Sequence, residues 1–331
     1  MEKYDITKPI KIPVGMHKLN DDAGISFQLN RLVNMDGCDL SVAREIGPAI
    51  KTTADFYGVL KSRAGIELEQ GHIRNAAALY RMSEFYTDWE DPNGLAAWKK
   101  ARELFFEYYA DFFSGETPIV ELINVPYEGY AMPTLKFNAQ SAKGTIVMHG
   151  GFFAPRASAF DERVTKCVSV AQFGALKMNF ADNAFVNGLI VGLLNVVLYG
   201  FGWLINIIYA AEKGSGMPFF RTYFHRMGTT NVYKLAKILW SIDLRPVADK
   251  LTKDYLVIGG SRDTMACRAA IGRHLLLLKN ARSVSSREIT THEKGADHCC
   301  CGNQTAAMDT ILSWAELMER RDSTLDESTG E

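Results

Sequence analysis

The chain has 331 residues, of which 47% are hydrophobic and 23% charged, and its formal net charge is -1. Such values are typical of folded globular proteins, so the composition does not favour an intrinsically disordered chain. Lys and Arg form no basic face with interleaved aromatic residues, which argues against a nucleic-acid partner.

The cysteines indicate a reducing environment. Three of the six are consecutive, at residues 299–301, and adjacent cysteines cannot staple distant loops. The N-terminal residues 1–5 contain no apolar signal region, so we expect reduced thiols and a cytoplasmic location. His292 and His298 lie near the cysteine run, but the ligand spacing of a zinc site is absent, and no metal or other cofactor is predicted.

The first third of the chain is predicted to be helical after a loose arm of about 20 residues. Apolar residues recur at helical spacing between residues 25 and 113, and Asp91 followed by Pro92 is a typical helix start. We interpret residues 1–115 as a helical cap domain that covers an active site. A helical bundle or repeat hairpins used for protein contacts is the alternative.

The hydrophobic period changes after residue 115. Apolar and polar residues alternate over residues 118–125, which predicts a strand, and residues 132–137 are predicted as a second strand that pairs with it. Residues 145–148 are apolar and β-branched, and a third strand is predicted there. An antiparallel hairpin followed by a buried strand predicts an α/β core over residues 116–331. A helix at about 154–160 and a buried strand at 164–170 are predicted next.

A long uncharged stretch occupies residues 186–211. By length it could span a bilayer, but Asn and Gly residues interrupt it and no Lys/Arg cluster flanks it, so a membrane span is not favoured. We expect instead a helical lid at about 180–245, including an amphipathic helix at 230–241. Such a lid would line an apolar pocket, which predicts a small apolar or aromatic substrate.

Two ionisable residues follow the last two predicted strands. A strand begins at residue 254 and ends in a Gly-Gly turn before Asp263, and a strand at 284–290 precedes a loop that holds His298. Ligands and catalytic groups gather at this edge of open α/β sheets. We therefore predict His298 as a general base that Asp263 orients, although Asp263 could simply cap the next helix. A final helix is predicted at about 305–319.

The order of these features resembles the α/β-hydrolases that carry an N-terminal helical domain, a group that includes 2,6-dihydroxypseudooxynicotine hydrolase and the fungal polyketide-shortening hydrolases. The resemblance covers most of the chain and rests on residues 78–83, 125–129, 149–152, 260–263 and 295–303. It implies a mostly parallel hydrolase-like sheet, shortened here, with a helical cap and a lid insertion. It also implies an esterase or a hydrolase of carbon–carbon bonds beside ketones.

The resemblance assigns roles residue by residue. Asp263 would be the acid and His298 the base of a catalytic triad. The backbone of an oxyanion loop would come from His149, Gly150, Gly151 and Phe152. The nucleophile cannot be assigned, because no Gly-x-Ser-x-Gly pattern occurs in the chain.

The missing nucleophile elbow has a definite position. The chain passes from the expected oxyanion strand directly to a helix that resembles the one following the nucleophile, so Met148 stands where the serine is expected. A thioether cannot attack a carbonyl. Removing the elbow segment would still permit a contiguous six-stranded sheet. A shortened isoform, a misjoined gene model and a deliberate deletion all fit this pattern.

Three functions therefore stay open at the level of sequence. The first is a hydrolase that retains Asp263 and His298 but lacks a serine nucleophile, and so is inactive in this form or nearly so. The second is a non-catalytic binding or regulatory protein that keeps the apolar lid pocket. The third uses His149, His298 or a thiol of residues 299–301 as nucleophile or base. A homodimer is compatible with each of them.

Overall fold

The computed structural model describes the chain except residues 1, 9–10, 89, 140, 143, 149–152, 172–173, 182, 205–206, 208–226, 265, 267 and 330–331. The fold consists of two compact units. One comprises Met1–Lys11 and Leu19–Met148, and the other comprises Ile12–Lys18 and His149–Glu331. The domain boundary that the sequence suggests near residue 115 stays a prediction.

The first unit is built mainly from helices that begin at polar caps. Asp22 accepts a hydrogen bond from the Ile25 N–H, and Asp91 accepts one from the Asn93 N–H, which satisfies donors at each helix start. The helices are α1 Ala23–Asn34, α2 Leu40–Ile46, α3 Thr53–Glu69, α4 Ile73–Ser83 and α5 Pro92–Tyr108. The helical prediction for residues 25–113 is thus confirmed, with short turns between the helices.

The core of this unit contains the apolar stripes expected from the sequence. Leu29, Leu32, Phe56 and Leu60 are all completely buried, and they pack in one cluster with Leu79. Burying such side chains stabilises each by roughly 1.5–3 kcal/mol. The packing of apolar side chains between the helices therefore stabilises this unit.

A two-stranded antiparallel hairpin ends the first unit. Strands β1 Val120–Tyr127 and β2 Tyr130–Phe137 pair in register, with Val120 opposite Phe137. Glu128 and Gly129 join them with φ of 48° and 81°. Positive φ at both central residues is typical of the tight turns whose twist matches that of a hairpin.

The strand predicted at residues 145–148 is not formed. This segment is irregular, and Ile146, Val147 and Met148 are 62%, 83% and 76% exposed. A strand needs a neighbouring strand to bond its backbone groups, and none of the described strands pairs with this segment. A run of apolar, β-branched residues is therefore not sufficient for a strand, and the prediction for residues 145–148 is wrong.

The second unit contains a three-stranded parallel sheet in the order β3-β4-β5. These strands are β3 Lys166–Val170, β4 Asp254–Gly260 and β5 Ser283–Ile289. All seven residues of the central strand β4 are buried, as expected for a strand covered on both faces. Since β1 and β2 form a separate sheet, the described residues do not form the contiguous six-stranded sheet considered from the sequence.

Three of the five helices described in the second unit lie where the sequence predicts helices, at about 154–160, 230–241 and 305–319, and the last of them runs about ten residues further. The five helices are α6 Phe153–Ser158, α7 Ala184–Asn195, α8 Val232–Trp240, α9 Arg268–Leu275 and α10 Gln304–Thr329. The first segment of this unit, Ile12–Lys18, has no helix or strand, yet the Gly15 N–H donates to the Gly302 carbonyl at 2.7 Å. This part of the arm, which the sequence predicts to be loose, is therefore bonded to the loop that contains Gly302.

Helix α7 belongs to the stretch predicted as a lid. Phe185, Leu189 and Leu193 of α7 are 74%, 59% and 66% exposed. A π-helix, Val196–Gly200, follows α7 directly. In the part of the chain that the structure describes, no helix combines the length and apolar character needed to cross a bilayer. Much of the remaining stretch, including residues 208–226, lies outside the described residues.

Candidate active site

Asp263 lies just beyond the carboxyl end of the central strand. Strand β4 ends at Gly260, and Ser261 and Arg262 then turn the chain, with the Ser261 N–H donating to the Ile289 carbonyl at 3.0 Å. Asp263 is buried at this edge of the sheet, with only 6% of its surface exposed. The position is the one expected from the sequence.

His298 lies in the loop between β5 and α10, also at the carboxyl edge of the sheet. Thr290 and Glu293 form a capping box at the start of this loop, which satisfies the backbone donors where β5 ends. The Asn303 side chain then donates to the Glu293 carbonyl at 2.8 Å and closes the loop. These bonds hold His298 in a turn of fixed shape.

Asp263 and His298 contact each other directly. Nδ1 of His298 lies 2.9 Å from Oδ2 and 3.1 Å from Oδ1 of Asp263, and the carboxylate side chain is completely buried. The Ala266 N–H also donates to Asp263 Oδ1 at 2.8 Å. The carboxylate thus caps the following turn as well as holding the imidazole, so the two interpretations of Asp263 are compatible.

Gly260 allows the two loops to meet. A Cβ atom at this position would lie 2.2 Å from the Ala296 carbonyl oxygen and 2.7 Å from that of Asp297. The Arg262 N–H donates to the same Ala296 carbonyl at 2.8 Å. Backbone therefore packs on backbone beside His298, and only glycine fits there.

The contact with Asp263 changes the proton affinity of His298. Burial lowers the pKa of the imidazole, but hydrogen bonds with Asp263 and Cys299 outweigh this and raise the pKa to about 10. At neutral pH the imidazole therefore holds its second proton. A histidine in this state is a proton donor and a cation, and it becomes a base as the pH rises.

The predicted oxyanion loop, His149, Gly150, Gly151 and Phe152, is not among the residues that the structure describes. Met148 is described and is exposed in an irregular segment.

Neither a metal cluster nor a described cavity coincides with Asp263 and His298. Among the residues that the structure describes, no three His, Cys, Asp or Glu side chains are grouped so that they could hold a metal ion. A surface cavity of about 400 Å³ lies in the first unit, where Glu45, Val59 and Ile66 belong to its lining.

Sequence reasoning missed the part of the site that depends on close backbone contact. The sequence predicts Gly259 and Gly260 only as a turn, although a Gly-Gly pair at a strand end is also a signal of close backbone approach.

No family model matches the chain, and no curated protein sequence matches it. Among solved structures, the crystal structure of 2,6-dihydroxy-pseudo-oxynicotine hydrolase is similar over 83% of this chain and 91% of that chain. The two share 12% sequence identity, and the TM-score is 0.45.

Proposed function

We propose that this protein is a hydrolase-type enzyme that acts on an ester or on a carbon–carbon bond beside a carbonyl group. His298 is the proton-transfer group, and Asp263 fixes its orientation. The observation that carries the proposal is the direct contact of a completely buried carboxylate with Nδ1 of His298 at 2.9 Å. Pairing of this kind is how hydrolases hold a catalytic imidazole.

The two residues have different roles in the proposed reaction. Asp263 accepts the Nδ1 proton, so Nε2 is the nitrogen left to exchange a proton with the reacting group. The buried carboxylate also stabilises the cation that forms when Nε2 takes up a proton. Because the pKa of His298 is raised to about 10, base catalysis by Nε2 should increase as the pH rises from neutral.

The substrate class in this proposal is apolar or aromatic. It is supported by the exposed apolar side chains of α7, such as Phe185 and Leu189, which belong to the predicted lid. Oxyanion stabilisation by the backbone of Gly150 and Gly151 is part of the same proposal. It follows from the family resemblance of residues 149–152 and not from a described geometry.

Turnover of p-nitrophenyl butyrate tests the proposal. We expect slow hydrolysis by the native chain, and a loss of about 100-fold or more in kcat/KM for His298→Gln. His292→Gln is the matched control, since His292 is in the preceding turn and is exposed. Equal turnover by the native chain and His298→Gln would contradict the proposal. Strong labelling of a serine by a fluorophosphonate probe would contradict the absence of a serine nucleophile.

A non-catalytic binding protein is the second candidate. It is favoured by one observation: in the described part of the chain, the His298 side chain bonds to Asp263, and no bond to a serine is found. This candidate predicts saturable binding of an apolar ligand without turnover. Calorimetric titration with p-nitrophenyl butyrate, followed by product analysis, separates the two, because consumption of the ligand would rule out a purely binding role.

A further inference from the structure

The segment Ile12–Lys18 belongs to the second unit although it comes from the N-terminal end of the chain, and we call it the strap. Its Gly15 is buried, and the Gly15 N–H donates to the Gly302 carbonyl at 2.7 Å. The Met16 side chain packs on the same residue, since a Cβ atom at Gly302 would lie 3.0 Å from Met16 Cγ and 3.4 Å from Met16 Sδ. The strap therefore holds Gly302, itself buried, through both backbone and side chain.

Gly302 ends the loop that carries His298. This loop, residues 294–302, closes on itself, because the same Cβ atom at Gly302 would lie 2.3 Å from the Lys294 carbonyl oxygen. Cys301 is the residue before Gly302, and its N–H donates to the His298 carbonyl at 3.2 Å. One peptide link and one backbone hydrogen bond therefore connect the residue that the strap holds with His298.

The two halves of this loop are held in different ways. The first half packs on the sheet, where the Arg262 N–H donates to the Ala296 carbonyl at 2.8 Å. The second half contains Cys299 and Cys300, which both have φ of 56°, in the left-handed region that residues with a Cβ rarely occupy. Such a conformation persists only where the surroundings impose it. The strap contacts the end of this half, and so it opposes the relaxation of the strained turn directly after His298.

We propose that Met16 is a positioning residue that keeps His298 at bonding distance from Asp263. Its side chain acts through Gly302 and the turn before it. The Gln304 side chain also holds this turn, by donating to the Cys299 carbonyl at 2.6 Å, but it belongs to the helix that follows the loop, whereas the strap is remote from it in the chain. The inference rests on the proposed function, because positioning of His298 matters for turnover only if His298 transfers the proton.

The size of the effect follows from the sensitivity of catalysis to displacement. Misplacing a catalytic group by about 1 Å can lower the rate by about 100-fold, even where the substitution lies away from the reacting atoms. Truncation of Met16 removes the side chain that packs on Gly302, so the strained turn can relax. The imidazole of His298 can then move away from Asp263, and both its orientation and its hydrogen bond are weakened.

NMR titration of ¹³C-labelled histidine in the full-length chain tests the inference without a substrate. In Met16→Ala we expect the pKa of His298 to fall from about 10 toward its ordinary value of 6.5, because the bond with Asp263 is weakened. Met16→Leu should restore the native pKa, since it conserves the packing volume. Val14→Ala is the matched control, because Val14 lies in the same strap and is 46% exposed.

Two results of this titration would overturn the inference. An unchanged pKa in Met16→Ala would show that His298 does not depend on this side chain. An equal fall in Val14→Ala would show that any change in the strap has the same effect. Urea unfolding checks that each variant is folded at the start of the titration, and Met16→Val, a smaller truncation, replaces Met16→Ala if the alanine variant is unfolded.

Turnover of p-nitrophenyl butyrate separates this inference from the proposed function. If Met16→Ala lowers the pKa of His298 and also lowers kcat by about 10-fold or more with KM unchanged, both proposals are supported. If the pKa falls while neither the native chain nor any variant hydrolyses the ester, the positioning role of Met16 stands and the hydrolase proposal is wrong. If the native chain hydrolyses the ester and Met16→Ala leaves the pKa unchanged, the hydrolase proposal holds and the role of Met16 is wrong.

Discussion

His298 contacts a group that stabilises its cation. Asp263 is a buried carboxylate beside Nδ1. Burial alone would favour the neutral imidazole, so the contact with Asp263 decides the protonation state. This one residue thus connects the sheet edge, through Asp263, with the loop that carries the cysteines.

Removal of Asp263 should make His298 less basic. In Asp263→Asn we expect the pKa of His298 to fall from about 10, because one of the bonds that raise it is lost. NMR titration of ¹³C-labelled histidine, with His298→Gln to identify the signal, measures this shift. An unchanged pKa would mean that Asp263 does not interact with the imidazole in solution.

The same pair should make stability depend on pH. The pKa of His298 in the folded chain lies above the ordinary 6.5. The contribution of the pair to the free energy of unfolding is therefore complete below pH 6.5 and is lost as the pH rises toward about 10. Urea unfolding of the native chain should therefore give a falling free energy of unfolding across this window. In Asp263→Asn the fall should be smaller, and an identical fall in both chains would exclude the pair as its cause.

Gly260 offers a test of how the two loops meet. Gly260→Ala places a Cβ within 2.2 Å of the Ala296 carbonyl oxygen, and we expect it to destabilise the chain by about 2 kcal/mol or more and to separate His298 from Asp263. Urea unfolding measures the loss. Gly272→Ala in α9 is the matched control, because nothing lies within 4 Å of the added atom and alanine favours a helix. Equal stability of the two variants would contradict the close approach.

At the scale of elements, the helices and the strands flanking Asp263 and His298 could be predicted from the sequence. Capping residues such as Asp22 and Asp91 and the apolar periodicity carry that information locally. Residues 145–148 could not be predicted, because strand formation depends on a distant partner that a local pattern does not reveal. Close contacts such as that of Gly260 with Ala296, and the positive φ of Cys299, depend on tertiary packing in the same way.

An ion pair between a partly exposed arginine and a buried carboxylate joins the last helix to the sheet. Arg321 of α10 donates to both carboxylate oxygens of Asp254, at 3.0 Å and 2.7 Å, and Asp254 is 1% exposed at the start of β4. Burial raises the pKa of Asp254, but the bonds to Arg321 and Ser283 outweigh it and the pKa is lowered. The carboxylate therefore stays charged inside the unit, and it depends on its partners.

Loss of Arg321 should weaken the second unit. We expect Arg321→Ala to reduce the free energy of unfolding by about 2–3 kcal/mol, since a buried carboxylate loses its main partner while Ser283 and Arg282 remain. Because the pKa of Asp254 is lowered, this contribution is present at neutral pH and disappears as the pH falls below its ordinary value of 3.8. Arg320→Ala, at an exposed neighbour, should change stability by less than about 0.5 kcal/mol.

At the scale of the whole molecule, the two units differ in how far apart along the chain their contacting elements lie. In the first unit, neighbouring helices such as α3 and α4 pack on each other, and β1 pairs with β2 across a two-residue turn. In the second unit, β3 must pair with β4, although the connection from Val170 to Asp254 contains α7 and α8. Parallel pairing across such a connection brings together residues that are remote in sequence.

The order of folding follows from this connection. Local contacts form quickly, whereas pairing across a long loop must first overcome the entropy of closing it. The helical unit should therefore become ordered first, and the edge of the sheet that carries Asp263 and His298 should assemble last. A newly made chain would pass through a stage in which the cysteine loop is still open to solvent, so Cys300 and Cys301 would be open to alkylation before the sheet closes and protected afterwards.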